Sequence, residues 1–296
     1  RIICSWCVSP KRSKEKMRHE LIDIVGRETG KAGLVLGLGP SVNENLDLIK
    51  EVDSKDDEWS IVSCNSIDRL MPDLSHDYWI LAQPATEENE QCLCHDEMIQ
   101  RIVDKNAFWI YTDNLDRTPR EEVDEKLKSV NFAGYDQHHF RGAGENGQCG
   151  APGPCCDRNK EIPNRISIQD LLKAICGPDP ENEHGSYGGG DTVSVHMLAL
   201  SVILGLNPIY ATGIDLDYTG GYFNNEVNFK HGHGLSINQD RKMMGLIAIN
   251  NDQVMTSRVL RDIKIIARMA EKIGTKIYAL DQSPGRLHES LPVQRP

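Results

Sequence analysis

The chain has 296 residues, of which 39% are hydrophobic and 26% are charged, a balance typical of a globular protein with a large core. Lys and Arg number 33 against 44 Asp and Glu, so the net charge is −11 at pH 7, which argues against binding to a nucleic-acid backbone or an anionic membrane surface. No apolar run approaches the ~18 residues that a transmembrane segment needs.

Nine cysteines are the unusual part of the composition. An odd number cannot all pair within one chain, and the chain is long for a scaffold built on disulfides. Cys4 and Cys7 have the spacing of a zinc knuckle, but a structural zinc site needs two matched knuckles. The other close pairs, without that spacing, are Cys92/Cys94 and Cys155/Cys156. Since no secretory signal is visible either, we expect reduced thiols, a cytoplasmic location and no bound metal.

The first half of the chain reads as an α/β pattern. Residues 1–30 are charged and helix-prone, which predicts an N-terminal helical extension in front of a single domain over 31–296. Short apolar runs then recur, with helix-like segments such as Val42–Val52 between several of them; the runs lie at 33–36, 60–64, 78–82 and 107–111. The region at about 114–165 lacks a long apolar run, and we interpret it as an irregular insertion.

The second half continues the same pattern. Val193–Leu204 is apolar almost all round, which predicts a buried helix with Asp191 as its N-cap. A strand over Pro208–Gly213, a long helix over Asp252–Ile273 and a last strand over Lys276–Leu280 follow. The predicted fold is therefore a Rossmann-like, mostly parallel sheet with helices on both faces.

Two glycine-rich turns are the first candidates for ligand binding, because ligands of parallel sheets bind at the carboxyl ends of strands, near the amino termini of helices. One turn follows the first apolar run and consists of Gly37, Leu38, Gly39, Pro40 and Ser41. It is neither a complete G-x-G-x-x-G motif nor a Walker A loop, so it is either a tight turn with a capping serine or a phosphate site.

The second turn leads into the predicted buried helix, and its candidate binding residues are Gly190, Thr192 and Ser194. Taken alone, it also fits a flexible connection with a helix cap. Two such turns at the ligand-facing edge of one sheet favour the binding of a phosphate-containing ligand.

Polar residues that follow other predicted strands are further candidates. Asp215 and Asp217 could hold Mg²⁺, act as a base or cap a loop, and Asn65 is either a ligand amide or a turn residue. His231 and His233 lie on one glycine-flanked segment, where they are exposed loop residues, metal ligands or a general base.

Four of these segments resemble, in the same order, two known families. They are Leu34-Val-Leu-Gly-Leu-Gly-Pro-Ser41, Ser63-Cys-Asn-Ser66, Gly190-Asp-Thr-Val-Ser-Val-His-Met197 and Gly213-Ile-Asp-Leu-Asp-Tyr218. The families are the bacterial CMP-sialic-acid-dependent sialyltransferases and the MptE-like domain of the motility accessory factor proteins. The resemblance covers about 33–83 and 185–285.

The resemblance implies a glycosyltransferase-like enzyme that binds a nucleotide-activated sugar, with a CMP-linked donor favoured, and that needs no cofactor. Gly39, Pro40 and Ser41 would then lie along the nucleotide phosphate, and Asn65 would contact the nucleotide or the sugar. Thr192 and Ser194 would line the donor pocket.

For catalysis, the resemblance implies that Tyr218 and Tyr222 steady the departing phosphate. The sialyltransferases carry a histidine shortly before the last long helix, and this sequence has none there. His231, His233 or Asp252 would have to take the proton from the acceptor hydroxyl.

Two alternatives remain. One is pyrophosphate transfer from ATP, as in 6-hydroxymethylpterin diphosphokinase, which would require Mg²⁺. The other is a non-catalytic nucleotide-binding module. The expected partners are a nucleotide-sugar donor and a glycan or protein acceptor, with no nucleic acid, no transmembrane segment and a possible homo-oligomer.

Overall fold

The computed structural model describes residues 18–81, 96–112, 125–135, 167–181, 192–216, 230–231, 235–236, 257, 259–280 and 286–296. Their strands are β1 (Arg18–His19), β2 (Ala32–Leu36), β3 (Trp59–Cys64), β4 (Tyr78–Leu81), β5 (Phe108–Thr112), β6 (Phe132–Tyr135), β7 (Ile209–Thr212), β8 (Lys230–His231), β9 (Leu235–Ser236) and β10 (Ile277–Ala279). Eight of them form one sheet in the order β1-β6-β5-β4-β3-β2-β7-β10, in which every neighbouring pair is parallel. β8 and β9 form a separate antiparallel pair.

Helices cover the sheet. They are α1 (Leu46–Asp53), α2 (Ile67–Leu70), α3 (Asp96–Lys105), α4 (Ile168–Cys176), α5 (Val193–Ile203) and α6 over 259–272, with single 3-10 segments at Leu21–Ile24, Pro40–Asn45 and Arg286–Glu289. Both α1 and α5 contact β3, and the middle strands are buried on both faces, as a parallel sheet between two layers of helices requires. Within the described part of the chain, no helix is long and apolar enough to cross a membrane.

The order of the strands reverses at β2. From β2 the chain moves outward through β3, β4, β5 and β6, and it then returns to place β7 and β10 on the other side of β2. This is a Rossmann-like α/β topology, as predicted, and its switch point lies between β2 and β7. The carboxyl ends of these two strands are therefore the place where such a sheet opens a crevice for a ligand.

The prediction of an N-terminal helical extension is wrong for those of its residues that the structure describes. Arg18 and His19 form β1, which pairs in parallel with the edge strand β6. A single 3-10 turn follows, and it buries Leu21 and Ile24 while Ile22 stays half-exposed. The few apolar residues of this segment, Leu21, Ile22 and Ile24, cannot stabilise a helix alone, so pairing with the sheet determines the structure.

The interpretation of 114–165 as an insertion is wrong for residues 125–135. Leu127, Val130, Phe132 and Ala133 are buried, and Phe132–Tyr135 is a strand of the main sheet. A four-residue strand needs no long apolar run, so the composition of the surrounding segment concealed it. Residues 136–166 lie outside the described ranges.

The segment before β2 is attached to the amino edge of the sheet by Glu28. Its carboxylate accepts hydrogen bonds from the Tyr78 hydroxyl (2.6 Å) and the Ser60 hydroxyl (3.2 Å), and it pairs with Lys31 at 3.0 Å. Burial alone would raise the pKa of Glu28, but the bonds from Tyr78 and Lys31 outweigh that effect and hold the pKa below its usual value.

We expect Tyr78→Phe to lower the free energy of unfolding by about 1–2 kcal/mol, because the half-buried Glu28 carboxylate loses a donor. Urea denaturation measures the change. Tyr278→Phe is the matched control, since Tyr278 is partly exposed and stacks on Tyr210. Equal losses in the two variants would contradict this role of Glu28.

Candidate functional site

The turn after β2 and the turn after β7 are in direct backbone contact at the switch point. A Cβ atom on Gly37 would lie 2.3 Å from the carbonyl oxygen of Gly213, and one on Gly213 would lie 2.5 Å from the carbonyl oxygen of Gly37. A Cβ atom on Gly39 would lie 2.3 Å from Oδ2 of Asp215. These three positions therefore require glycine because of the close approach, which explains the two glycines, Gly37 and Gly39, that the sequence analysis singled out.

Backbone hydrogen bonds join the same two turns. The Gly37 N–H donates to the Thr212 carbonyl at 2.9 Å, and the Gly39 N–H donates to the Gly213 carbonyl at 2.8 Å. The N–H groups of Gly37 and Gly39 could have bound a phosphate, but both donate hydrogen bonds to the neighbouring turn instead. The part of this turn that stays accessible is at Gly39 and Pro40, which are half-buried, while Leu38 is buried.

Polar side chains complete the contact, which we call the turn clamp: Gly37–Ser41 held against Thr212–Asp215. The Ser41 hydroxyl accepts from the Gly213 N–H at 2.8 Å, and the Asp215 carboxylate accepts from the Ser41 N–H at 2.9 Å. Asn45 donates from Nδ2 to the Ser41 carbonyl (2.9 Å) and to the Thr212 hydroxyl (3.1 Å). Ser41 is fully buried and Asp215 is 4% exposed, so these bonds form away from water.

The clamp assigns specific roles to Ser41 and Asp215. The sequence suggested that the Ser41 side chain caps the following helix, and the structure shows that it does not. The Ser41 hydroxyl instead accepts a hydrogen bond from the Gly213 N–H in the other turn. Of the three predicted uses of Asp215, the structure places its carboxylate as the cap of the other turn. The C-terminal segment also contacts this point, because the Arg286 N–H donates to the Asp215 carbonyl at 2.7 Å.

Asn65 lies on the next strand, at the same edge. Leu36 of β2 is level with both Ser63 of β3 and Thr212 of β7, so Asn65, two residues after Ser63, projects just past the strand ends. Its φ is +47°, in the left-handed region, and it is 6% exposed. Asparagine is one of the few residues that adopt this conformation readily, and such conformations cluster at functional sites.

The amino end of α5 lies at this edge too. Asn207, four residues after Val193–Ile203 ends, donates its N–H at 2.9 Å to the carbonyl of Lys31, which directly precedes β2. The carboxyl end of the helix is therefore at the amino edge of the sheet. An 11-residue helix and a five-residue strand both span about 16 Å, so Thr192 and Ser194 come level with the carboxyl ends of the strands.

Thr192 is the N-cap of this helix, and its hydroxyl accepts from the Ser194 N–H at 3.2 Å. The prediction that Asp191 is the N-cap is therefore wrong: the cap is one residue later. The hydroxyl of Thr192 is used within the helix end, and Ser194 is half-buried in its first turn. Gly190 and Asp191 lie outside the described residues.

The residues predicted to carry catalysis fall mostly outside the described ranges, which include none of Asp217, Tyr218, Tyr222, His233 and Asp252. His231 is in β8, where its backbone is level with Leu235 of β9. Their roles stay predictions. The residues that the structure brings to the switch point are Gly37, Gly39, Ser41 and Asp215, while Asn65, Thr192 and Ser194 lie at the same edge of the sheet.

The thiol next to Asn65 is not reactive. Cys64 is 2% exposed, and burial raises its pKa to about 12, so the nucleophilic thiolate is absent near neutral pH. Cys176 is likewise a buried free thiol whose pKa is raised by burial to about 11. The close cysteine pairs of the sequence lie outside the described residues.

Sequence analysis missed Asn45, Thr212 and Trp79. Asn45 and Thr212 hold the clamp from the inside, and the indole N–H of Trp79 donates to the Asn65 carbonyl at 2.7 Å. Trp79 was visible only as part of an apolar run. Its polar role depends on a neighbouring strand, and no local spacing could have indicated it.

The chain matches no protein-family model and no curated protein. Among solved structures it is similar to the MAf glycosyltransferase of Magnetospirillum magneticum AMB-1 (13% identity, TM-score 0.45), with 93% of this chain covering 38% of that one. It is also similar to the sialyltransferase CST-II in complex with a trisaccharide acceptor and CMP (12%, TM-score 0.45) and to CstII of Campylobacter jejuni in complex with CMP (14%, TM-score 0.42). In both cases 90% of this chain covers 86% of the other. At such identities the likeness concerns the fold.

Proposed function

We propose that the chain is a glycosyltransferase-like enzyme that binds a nucleotide-activated sugar at the carboxyl edge of its sheet and transfers the sugar to an acceptor hydroxyl. The observation that carries the proposal is the contact between the glycine-rich turn after β2 and the turn after β7, through Gly37, Gly39 and Gly213, at the switch point of the described parallel sheet. In open sheets of this kind, nucleotides bind at that point.

In the proposed complex, the nucleotide lies across the outer surface of the turn clamp. Gly39 and Pro40 supply a backbone surface without bulky side chains, and the Asn65 carboxamide supplies a donor and an acceptor beside it. Thr192 and Ser194 approach from the amino end of α5, whose dipole favours the negatively charged phosphate.

The proposed chemistry is attack by the acceptor hydroxyl on the anomeric carbon of the sugar, with the nucleotide as leaving group. His231, His233 or Asp252 takes the acceptor proton, and Tyr218 and Tyr222 donate hydrogen bonds to the leaving phosphate. No metal is needed for this route, because hydroxyl donors take over the stabilisation of the phosphate charge.

Ligand-induced thermal stabilisation tests the binding step, with CMP, UDP, GDP and ATP each measured with and without Mg²⁺. CMP is expected to stabilise the protein without Mg²⁺, by about 2.7 kcal/mol at 100 times its dissociation constant. Stabilisation by ATP only in the presence of Mg²⁺ would replace the proposal with pyrophosphate transfer. A response to none of the four would contradict nucleotide binding.

We expect Asn65→Ala to weaken CMP binding by about tenfold, since a buried amide makes one or two hydrogen bonds to the ligand. Asn106→Ala is a matched control: Asn106 is also left-handed (φ +51°), but it lies just before β5, at the opposite edge of the sheet. Isothermal titration measures both. Equal losses would mean that the effect comes from the backbone conformation and not from contact with the ligand.

Turnover is measured separately, as release of CMP from a CMP-linked sugar. Tyr218→Phe, Tyr222→Phe, His231→Ala, His233→Ala and Asp252→Ala are the variants to compare. Loss of turnover with unchanged CMP binding is expected for the residue that takes the acceptor proton, His231, His233 or Asp252. Tyr218→Phe and Tyr222→Phe are expected to weaken CMP binding as well, because CMP carries the leaving phosphate. Binding without turnover in the unsubstituted chain would favour a non-catalytic nucleotide-binding module.

A further inference from the structure

Asn65 is held by β4 through both of its backbone groups. Its N–H donates to the carbonyl of Ile80 at 2.9 Å, and its own carbonyl accepts from the indole N–H of Trp79 at 2.7 Å. The bond to the Asn65 carbonyl comes from the Trp79 side chain, so it is not one of the backbone hydrogen bonds between β3 and β4. It depends on the presence of a tryptophan at position 79. It is made where the chain leaves β3 and φ becomes positive.

Trp79 is itself fixed in place. It is 0% exposed, and its ring contacts those of His76 and Trp109, each with a centroid distance of 6.1 Å. On the backbone it is level with Ser63 of β3 and Trp109 of β5, in the middle of the sheet. An indole has one donor and no acceptor, so a ring that cannot turn presents that donor in one direction.

The direction of the Asn65 side chain follows from its backbone. In the left-handed conformation the Cβ bond points away from the course of the preceding strand, and in the extended conformation it would point elsewhere. Asparagine adopts the left-handed region more readily than most L-residues, but that region is still the less stable one, so a hydrogen bond to the Asn65 carbonyl favours keeping it there. A donor that binds the Asn65 backbone carbonyl therefore also determines where the Asn65 carboxamide points.

We propose that Trp79 is a positioning residue for the nucleotide site: its indole N–H keeps Asn65 left-handed and so aims the carboxamide at the ligand. This inference rests on the proposed function for the contact between Asn65 and the nucleotide. The conformational part, that Trp79 holds Asn65, can be measured in the protein without any ligand.

The test compares Trp79→Phe with Trp109→Phe. Each variant replaces a fully buried indole in the same aromatic stack by a smaller ring and removes one N–H. Only the first removes the donor to Asn65. Thermal unfolding of both variants reports the general cost of losing an indole, so an effect on the site is read relative to Trp109→Phe.

The first measurement is the conformation of Asn65 by NMR. Cys64-Asn65 is the only Cys-Asn step in the sequence, so labelling cysteine with ¹³C at the carbonyl, and asparagine with ¹³C at Cα alone and with ¹⁵N at the amide, selects one amide, that of Asn65. Its ¹³Cα shift is expected to leave the left-handed range in Trp79→Phe and to stay in it in Trp109→Phe. An unchanged shift in Trp79→Phe overturns the inference.

The second measurement is the dissociation constant for CMP. Trp79→Phe is expected to weaken binding about fivefold, the worth of one hydrogen bond, and Trp109→Phe to leave it within twofold. A moved Asn65 signal with unchanged CMP affinity overturns the positioning role while leaving nucleotide binding intact. If the unsubstituted protein does not bind CMP, both the proposed function and the positioning role are overturned. A changed ¹³Cα shift of Asn65 in Trp79→Phe would then show only that Trp79 fixes the backbone conformation of Asn65.

Discussion

Gly213→Ala is expected to be the most damaging single substitution at the candidate site, because it combines two separate penalties. Gly213 has φ +72°, which costs an L-residue about 1–2 kcal/mol. Its new Cβ would also lie 2.5 Å from the carbonyl oxygen of Gly37, a backbone atom that cannot move without opening the turn clamp. Such overpacking adds about 1–3 kcal/mol or more. Their sum is a large part of the ~5–15 kcal/mol that stabilises a typical domain.

Two further variants separate the penalties. Gly274→Ala carries only the first, since Gly274 has φ +84° and nothing within 4 Å of its new Cβ. Gly37→Ala carries only the second, since its Cβ would lie 2.3 Å from the Gly213 carbonyl oxygen. Urea denaturation of the three variants should rank Gly213→Ala as the least stable. If Gly37→Ala costs no more than Gly274→Ala, the two turns separate easily and the clamp is not rigid.

The sheet itself was predictable because parallel strands buried on both faces leave a continuous apolar run. β2, β3, β4, β5, β7 and β10 all match, to within one residue at either end, the runs that the sequence analysis chose. β1 and β6 were missed for a different reason. Arg18–His19 has no strand pattern of its own, and it becomes a strand by pairing with the short segment Phe132–Tyr135. Pairing between residues 114 positions apart leaves no local trace.

Long-range contacts also limited what could be predicted about the candidate functional site. The glycines at 37 and 39 could be found, because a glycine-rich turn after a strand is typical of a close backbone approach. Gly213 was recognised only as the end of a predicted strand and as part of the Gly-Ile-Asp segment. What Ser41 does could not be found. Its hydroxyl suits a helix cap, a phosphate or a backbone amide equally well, and the amide that it bonds belongs to Gly213, 172 residues away. The sequence therefore located the turn correctly and could not assign its bonds.

His76 makes the stability of the protein sensitive to acid. The ring is 3% exposed, and burial first and the nearby Lys105 ammonium second lower the pKa of His76 to about 3. Its Nδ1 lies 3.1 Å from the Ser63 hydroxyl, which itself donates to the Tyr78 carbonyl at 3.4 Å. The hydroxyl can therefore accept from a neutral imidazole protonated at Nδ1. A second proton, on Nε2, would have no acceptor among the described residues.

The sign of the effect follows from the two pKa values. An unfolded histidine has a pKa near 6.5, so below about pH 6.5 the unfolded chain binds a proton that the folded chain refuses, until the pH approaches 3. The contribution of His76 to stability is thus complete above pH 6.5 and falls with pH at up to about 1.4 kcal/mol per unit, or about 2 kcal/mol by pH 5.

His76→Asn is the variant that isolates this effect, because its amide can reach the Ser63 hydroxyl but does not titrate. We expect the variant to be less stable than the unsubstituted protein at pH 7.5, where a cavity is its only defect, and the difference to shrink steadily towards pH 5. Urea denaturation between pH 5 and 7.5 measures it, and taking the difference cancels the other titrating groups. Two parallel stability curves would mean that His76 is protonated as easily in the folded protein as in the unfolded chain, and that the packing of Trp79 against its ring tolerates the charge.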